Sequence, residues 1–350
     1  MPTLPREDLD AIVSDLGEEW TRLRGADVLV TGGTGFFGVW LVSSLLHAND
    51  QLGLGLRVHV VARRPEQLLD RLPELRSATH LRLLAADVRC FCPPPATRIT
   101  HLIHAATAAS ALLVAQDPAE MAHVAAEGTR NLISLAAERG VERILFTSSG
   151  AVYGRNQAEV THVAEDQMGI VDPLLTRNAY AEGKRLAEAY CAAYVEKWQL
   201  PVIIARCYAF VGPFLPLDAH FAIGNFIRDA LSGKCIVVAG DGTARRSYLY
   251  ATDLTSWLLR ALLRGTPGRP YNVGSERDVS IAELAALVGG QRGIPFEIRG
   301  KRDPSRAIDS YAPSTERIRR ELGVAERVSL EEGVRRTMAW YELRLRGGAS

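Results

Sequence analysis

Eight residues, Thr31-Gly32-Gly33-Thr34-Gly35-Phe36-Phe37-Gly38, lie between the apolar segment Ala26–Val30 and the apolar run Val39–His47. Glycines 32, 35 and 38 form G-x-x-G-x-x-G. Glycine alone only marks turns. Between a strand and the first turn of a helix, the spacing acquires a purpose. The turn is tight, and amides at the helix N-terminus can face a pyrophosphate. Gly38 would allow close helix–strand packing. The pattern points to a dinucleotide site with Gly32, Thr34, Gly35, Phe36, Phe37 and Gly38 as candidates.

The rest of the chain repeats that strand–helix rhythm. Apolar strands are expected at 56–62, 81–85, 100–104, 143–148 and 202–206, with helices at 66–75, 118–139 and 179–198. Pro5 to Leu23 reads as a leading amphipathic helix. This alternation predicts an α/β fold, a Rossmann-like doubly wound parallel sheet. After Cys207 the rhythm changes, and Cys235 to Tyr250 looks hairpin-like before Tyr271–Val273 returns to the sheet. We expect an N-terminal helix (1–25), a dinucleotide-binding domain (26–206 plus about 248–274) and a smaller mixed α/β C-terminal substrate lobe (207–247 and 275–345).

Composition narrows the partners. Forty-one Lys+Arg against forty Asp+Glu leave a formal charge of +1, so no overall field gathers nucleic acid or anionic membrane. At 350 residues and 47% apolar content, a sizeable core can form without staples. Cys90, Cys92, Cys191, Cys207 and Cys235 lack CxxC spacing and read as reduced thiols. His101 and His104 fall on opposite faces of a strand, which argues against a metal site. The first twenty residues carry acids and no apolar core, and no apolar run reaches roughly 18 residues. A cytoplasmic protein is expected.

The end of the second strand, Val60-Val61-Ala62-Arg63-Arg64-Pro65, carries two arginines and no acid. An acid there would hold a ribose 2′-hydroxyl, whereas arginine suits a 2′-phosphate. NADP is therefore favoured over NAD, with Arg63 and Arg64 as its contacts. Farther on, Ser149 closes the fifth strand, and Tyr180 and Lys184, four apart, share one helical face. A free tyrosine titrates near 10. A nearby ammonium and an oxidised nicotinamide would favour the phenolate. Ser149, Tyr180 and Lys184 are the candidate catalytic residues, and their presence weighs against a non-catalytic dinucleotide-binding protein.

With TGGTGFFG, Asp87-Val88, His104-Ala105-Ala106, SSGAVYG, YAEGK, GDGTARRSYLYATDL and YNVGS, the chain resembles the extended short-chain dehydrogenase/reductases. Within them it is similar to the NAD-dependent epimerase/dehydratase group acting on nucleotide sugars. The resemblance covers most of the chain from Ala26. It implies that Asp87 and Val88 contact adenine, that His104, Ala105 and Ala106 line the cofactor path, and that Tyr180 and Lys184 also meet the cofactor. It further implies that Arg246 binds the pyrophosphate of a nucleotide-sugar substrate, with Ser149, Asn225 and Arg306 as further substrate contacts. The helices at 118–139 and 179–198 form a dimer interface in relatives, so a homodimer is expected.

The resemblance leaves the reaction open. Sugar 4,6-dehydratases carry Thr-Asp-Glu where this chain has Ser149-Gly150-Ala151. Gly150 and Ala151 have no titratable group for removing water. Decarboxylases of the family keep a glutamate at the Ala151 position and are disfavoured as well. A 4-ketoreductase of a nucleotide-linked 4-keto-6-deoxyhexose and a 4-epimerase with tightly bound NAD remain, and Arg63 tilts the reading to the reductase. Ala209 departs from the family's frequent asparagine, which puts the usual sugar pose in doubt.

Overall fold

The computed structural model describes residues 3–106, 117–154, 160–219, 221–305 and 307–347. The first strand, β1 (Asp27–Thr31), is buried throughout and enters α2 (Phe36–Leu52) through the glycine loop. It is preceded by α1 (Arg6–Leu16). The sequence then supplies β2 (Arg57–Ala62), α3 (Gln67–Arg71), β3 (Leu81–Ala85), β4 (His101–His104) and α4 (Pro118–Arg139). There follow β5 (Arg143–Ser149), α5 (Ala179–Trp198) and β6 (Val202–Cys207).

Seven parallel strands form one sheet in the order β11-β6-β5-β4-β1-β2-β3, where β11 is Pro270–Val273. Continuous apolar strands such as Val28–Val30 and Ile144–Phe146 are what a sheet covered on both faces requires. The order reverses between β1 and β4, the position at which open α/β sheets bind ligands beyond their carboxyl ends. Helix α2 is buried from Gly38 to Leu46, and it packs against α7 (Ala251–Arg264) on one face. On the other face α4 and α5 pack along each other. The return of Tyr271–Val273 to the sheet, beside β6, is as expected.

Several sequence expectations need correction. The leading helix stops at Leu16 because Gly17 takes φ +52°, and a tighter 3-10 turn continues from Gly17 to Leu23. The helix expected over 66–75 ends at Arg71, since Leu72 precedes Pro73 and is pushed out of the helical region. Cys235–Tyr250 forms no hairpin. Its three strands each pair elsewhere: β8 (Ile236–Val238) with β13 (Phe296–Ile298), β9 (Arg245–Ser247) with β12 (Asp278–Ser280) and β14 (Ser310–Tyr311), and β10 (Leu249–Tyr250) with β7 (Phe210–Val211).

These short strands, with α6 (Ala222–Leu231) and α8 (Ile281–Gly290), enclose a core of their own around Ile223, Ile227, Leu284 and Val288. The chain then continues through α9 (Glu316–Leu322) and α10 (Leu330–Gly347). Helix α1 packs on α7, and its buried Asp8 accepts hydrogen bonds from Tyr250 (2.7 Å) and Arg336 (2.8 Å). No described helix is long and apolar enough to cross a membrane.

Candidate active site

The glycine loop sits against the carboxyl end of β4. Gly32 has φ +72°, and a Cβ there would stand 2.5 Å from the carbonyl oxygen of Ala105. A Cβ on Gly38 would fall 2.3 Å from Gly33 Cα and the Gly32 carbonyl. Both positions need glycine to let backbone approach backbone. Gly35, by contrast, meets nothing but the Gly32 carbonyl within 4 Å, so the face before α2 is open. The first amides of α2 have no intrahelical partner and carry the positive end of its dipole. The loop thus fits a dinucleotide pyrophosphate. Phe36 and Phe37 contribute backbone there, for their rings pack inward, Phe37 edge-on to Phe210 at 5.1 Å.

The flanking candidates behave differently from one another. Arg63 and Arg64 are exposed just beyond β2. Asp87 is held by Arg89 through both carboxylate oxygens (3.0 and 2.7 Å), which brings its pKa to about 2. Val88 turns its side chain toward Gly128 on α4. The imidazole of His104 is no ligand-facing group. It lies between the hydroxyls of Thr31 (2.8 Å) and Thr129 (3.1 Å), stacked on Phe146. Burial, reinforced by the charge of Lys184, takes its pKa to about 3, so it is neutral. Only the backbone of this segment, at Ala105–Ala106, lies against the glycine loop.

The catalytic candidates converge at the end of β5. Ser149 Oγ accepts from the Ala151 amide at 3.1 Å, which tightens the turn Gly150–Tyr153. The Tyr180 hydroxyl, from the first turn of α5, is hydrogen-bonded to Ser149. One turn later, Lys184 donates to the Thr147 carbonyl at 2.7 Å and stands 4.7 Å above the Phe146 ring. Burial lowers the pKa of Lys184 to about 8, and burial raises that of Tyr180 above its ordinary value. Beneath them a buried network joins the layers. Glu188 accepts from Ser148 (2.5 Å) and Arg206 (2.7 Å), Arg206 donates to Tyr153, and Tyr153 donates to Asn272 at 2.6 Å.

Two residues of this centre carry no sequence signal. Tyr311, on β14, also hydrogen-bonds Ser149, and burial pushes its pKa up to about 12. Its ring lies 4.6 Å from that of Tyr208, whose buried hydroxyl has no partner among the described residues. A Cβ on Gly150 would stand 2.7 Å from the Tyr208 ring and 2.8 Å from the Tyr311 hydroxyl. A side chain at position 150 would have to displace the tips of both tyrosines. Tyr311 falls in RAIDSYAPSTERIRREL, which has no register against the family pattern, so only the folded chain brings it to Ser149.

Arg246 lies opposite Tyr311 on β9 and pairs with the exposed Asp309 at 2.5 Å. Asn225, with its amide set to donate, binds the carbonyls of Leu217 (3.1 Å) and Ala219 (3.0 Å) and so pins its own loop. Arg306 lies outside the described residues. A cleft of about 780 Å³ opens beside Tyr180, lined by Ala151, Gly154, Met168 and Arg177 among others. Among the described residues no cluster of His, Cys, Asp and Glu could hold a metal ion.

Comparisons with known proteins bear on the family and the fold. Residues 28–274 match the family model described as the NAD dependent epimerase/dehydratase family. The chain is 30% identical over 318 residues to UDP-glucuronic acid decarboxylase 6 of Arabidopsis thaliana, covering 91% of this chain and 89% of that one. It is 29% identical over 322 residues to UDP-glucuronic acid decarboxylase 1 of Xenopus tropicalis, covering 91% and 72%. Among solved structures it is similar to the Bordetella bronchiseptica enzyme WbmF in complex with NAD+ and UDP, with a TM-score of 0.76 at 25% identity, covering 93% and 95%. It shares the fold of UDP-glucose 4-epimerase from Thermotoga maritima, with a TM-score of 0.77 at 23% identity, covering 91% and 99%.

Proposed function

The chain belongs to the NAD-dependent epimerase/dehydratase family, and from that premise we propose that it oxidises or reduces C4 of a nucleotide-linked sugar, with Tyr180 carrying the proton. The observation that supports this is the hydrogen-bonded set of Tyr180, Ser149 and Tyr311 with Lys184 one helical turn away, beside a loop shaped for a dinucleotide.

A nicotinamide dinucleotide, when bound, supplies or accepts the hydride at the sugar carbon. The amides of the glycine loop and the backbone of Ala105–Ala106 would hold it. In reduction, the sugar oxygen gains negative charge and Tyr180 gives it the phenolic proton. Burial keeps that phenol protonated, which suits the donor. The Lys184 ammonium stabilises the phenolate left behind. Ser149 positions the sugar oxygen, and Arg246 offers a guanidinium to a substrate diphosphate once Asp309 is displaced.

Arg63 and Arg64 favour NADPH, and with it reduction of a nucleotide-linked 4-keto-6-deoxyhexose. Dehydration is disfavoured, because neither Gly150 nor Ala151 has a titratable group to remove water. The decarboxylase relatives favour a second reading. Oxidising C4 of a glucuronate produces a β-keto acid, whose carboxyl group leaves as CO2 without an added base, so Ala151 does not bar that course.

One assay separates the readings. Purified protein is mixed with NADPH or NADH and a panel of nucleotide-linked 4-keto-6-deoxy sugars, and separately with NAD and UDP-glucuronate. NADPH oxidation that disappears in Tyr180→Phe supports the reductase. Release of CO2 from UDP-glucuronate without net cofactor consumption replaces it with the decarboxylase. If neither occurs and denaturation releases NAD, the 4-epimerase stands. We also propose a homodimer through α4 and α5, supported by the half-exposed Leu186 and Trp198 on α5. A monomer in light scattering would overturn it.

A further inference from the structure

A second cavity, about 630 Å³, shares no lining residue with the cleft at Tyr180. It lies where α3, the segment 214–218, α6 and the end of α10 meet, and its walls carry Arg71, Arg228 and Arg344 against one carboxylate, Asp218. Arg228 is already paired with Asp229. Arg71 and Arg344 have no carboxylate partner among the described residues and line the same cavity; burial, with the charge of Arg344 adding to it, lowers the pKa of Arg71.

The guanidinium groups are held in place by other means. Arg71 donates one N–H to the carbonyl of Thr34 at 2.8 Å, leaving its remaining donors without a protein partner among the described residues. Arg344 lies over the rings of Phe214 and Trp340, at 5.6 and 5.4 Å. Phe214 itself takes φ +68°, a left-handed conformation that a bulky side chain adopts only where the surroundings impose it. Two guanidinium groups in one cavity wall, each held by contacts other than an ion pair and set beside a strained residue, form a receptor for an anion.

We propose that this cavity binds the phosphate or diphosphate group of a small metabolite, gripped between Arg71 and Arg344, at a site separate from both the dinucleotide loop and the catalytic cleft. Its size suits a ligand of nucleotide dimensions. Through Arg71, which donates to the Thr34 carbonyl, the bound anion would be joined to the glycine loop by two hydrogen bonds in series. The inference takes the dinucleotide reading of that loop as its reference, and the test keeps the two apart.

Inorganic pyrophosphate is titrated calorimetrically into the full chain saturated with NADH, and into its Arg344→Gln and Arg344→Lys variants. NADH fluorescence reports the loop independently. The expected result is pyrophosphate binding to the wild type, weakened at least about ten-fold in Arg344→Gln and largely restored in Arg344→Lys, with NADH affinity unchanged within about two-fold. No binding to the wild type, or equal binding by Arg344→Gln, overturns the proposal. Absence of binding by both NADH and NADPH would instead count against the dinucleotide reading, and the pyrophosphate titration without dinucleotide would still decide this one through the same variants.

Discussion

The seven-stranded sheet and the small sheets beyond β6 are built from the same kinds of residue by different rules. In the large sheet β1 runs into α2 and β2 into α3, and apolar runs such as Val28–Val30 are buried on both faces. In the small lobe β8, β9 and β10 follow one another within a short stretch, yet each pairs with a strand distant in sequence or outside the stretch. The first arrangement follows from neighbours along the chain, the second from chain closure. The candidate active site draws on both, with Ser149, Tyr180 and Lys184 from the large sheet and its helices, and Tyr311 from the lobe.

That comparison can be broken at several points. The largest effect is expected from Tyr180→Phe, which should lower kcat about 10³-fold while NADPH binding persists, since a positioned proton carrier contributes on this scale. Steady-state kinetics with fluorescence binding would check it, and a loss under ten-fold would remove Tyr180 from its role. Next comes a matched pair of glycines. Gly38→Ala places a Cβ 2.3 Å from loop backbone, and Gly300→Ala places one 2.3 Å from the Gly240 carbonyl carbon in the lobe.

Each glycine substitution should destabilise the protein by about 3 kcal/mol in denaturant unfolding, the cost of overpacking against backbone. Only Gly38→Ala should abolish NADPH binding. If Gly300→Ala abolishes it too, the two halves are less independent than their construction implies.

A smaller effect tests whether the lobe enters the chemistry. Tyr311→Phe removes one hydroxyl from Ser149 and should lower kcat about ten-fold, the worth of one hydrogen bond to the reacting set. Unchanged kcat would make Tyr311 packing alone.

The mildest test is pH. Lys184 has a folded pKa of about 8, so kcat/KM for reduction should fall as pH rises through about 8, when the ammonium is lost. For stability the sign is opposite. Between about 8 and 10.5 the unfolded chain still holds a proton that the folded chain has released, so this group makes stability rise with pH across that window. Lys184→Met should flatten that rise, as chemical unfolding at several pH values would show.

Much of the candidate site was legible because its signals are local. The glycine spacing, the arginines after β2 and the four-residue step from Tyr180 to Lys184 each lie within one turn or one strand end. Side-chain period and backbone sterics act over the same short range, so these residues alone determined the strand–loop–helix, the parallel sheet and the family. Pro73 and Gly17 show the limit of that reading even locally, since each ends a helix that apolar spacing alone would extend. What only the tertiary structure decided is the company these residues keep. His104 became a neutral packing group because α4 brings Thr129 to its second nitrogen. Gly150 lost its space to Tyr208 and Tyr311, and Ser149 acquired a second tyrosine. Those contacts join positions far apart in sequence, where no periodicity operates and only the packing of one closed chain sets the distance.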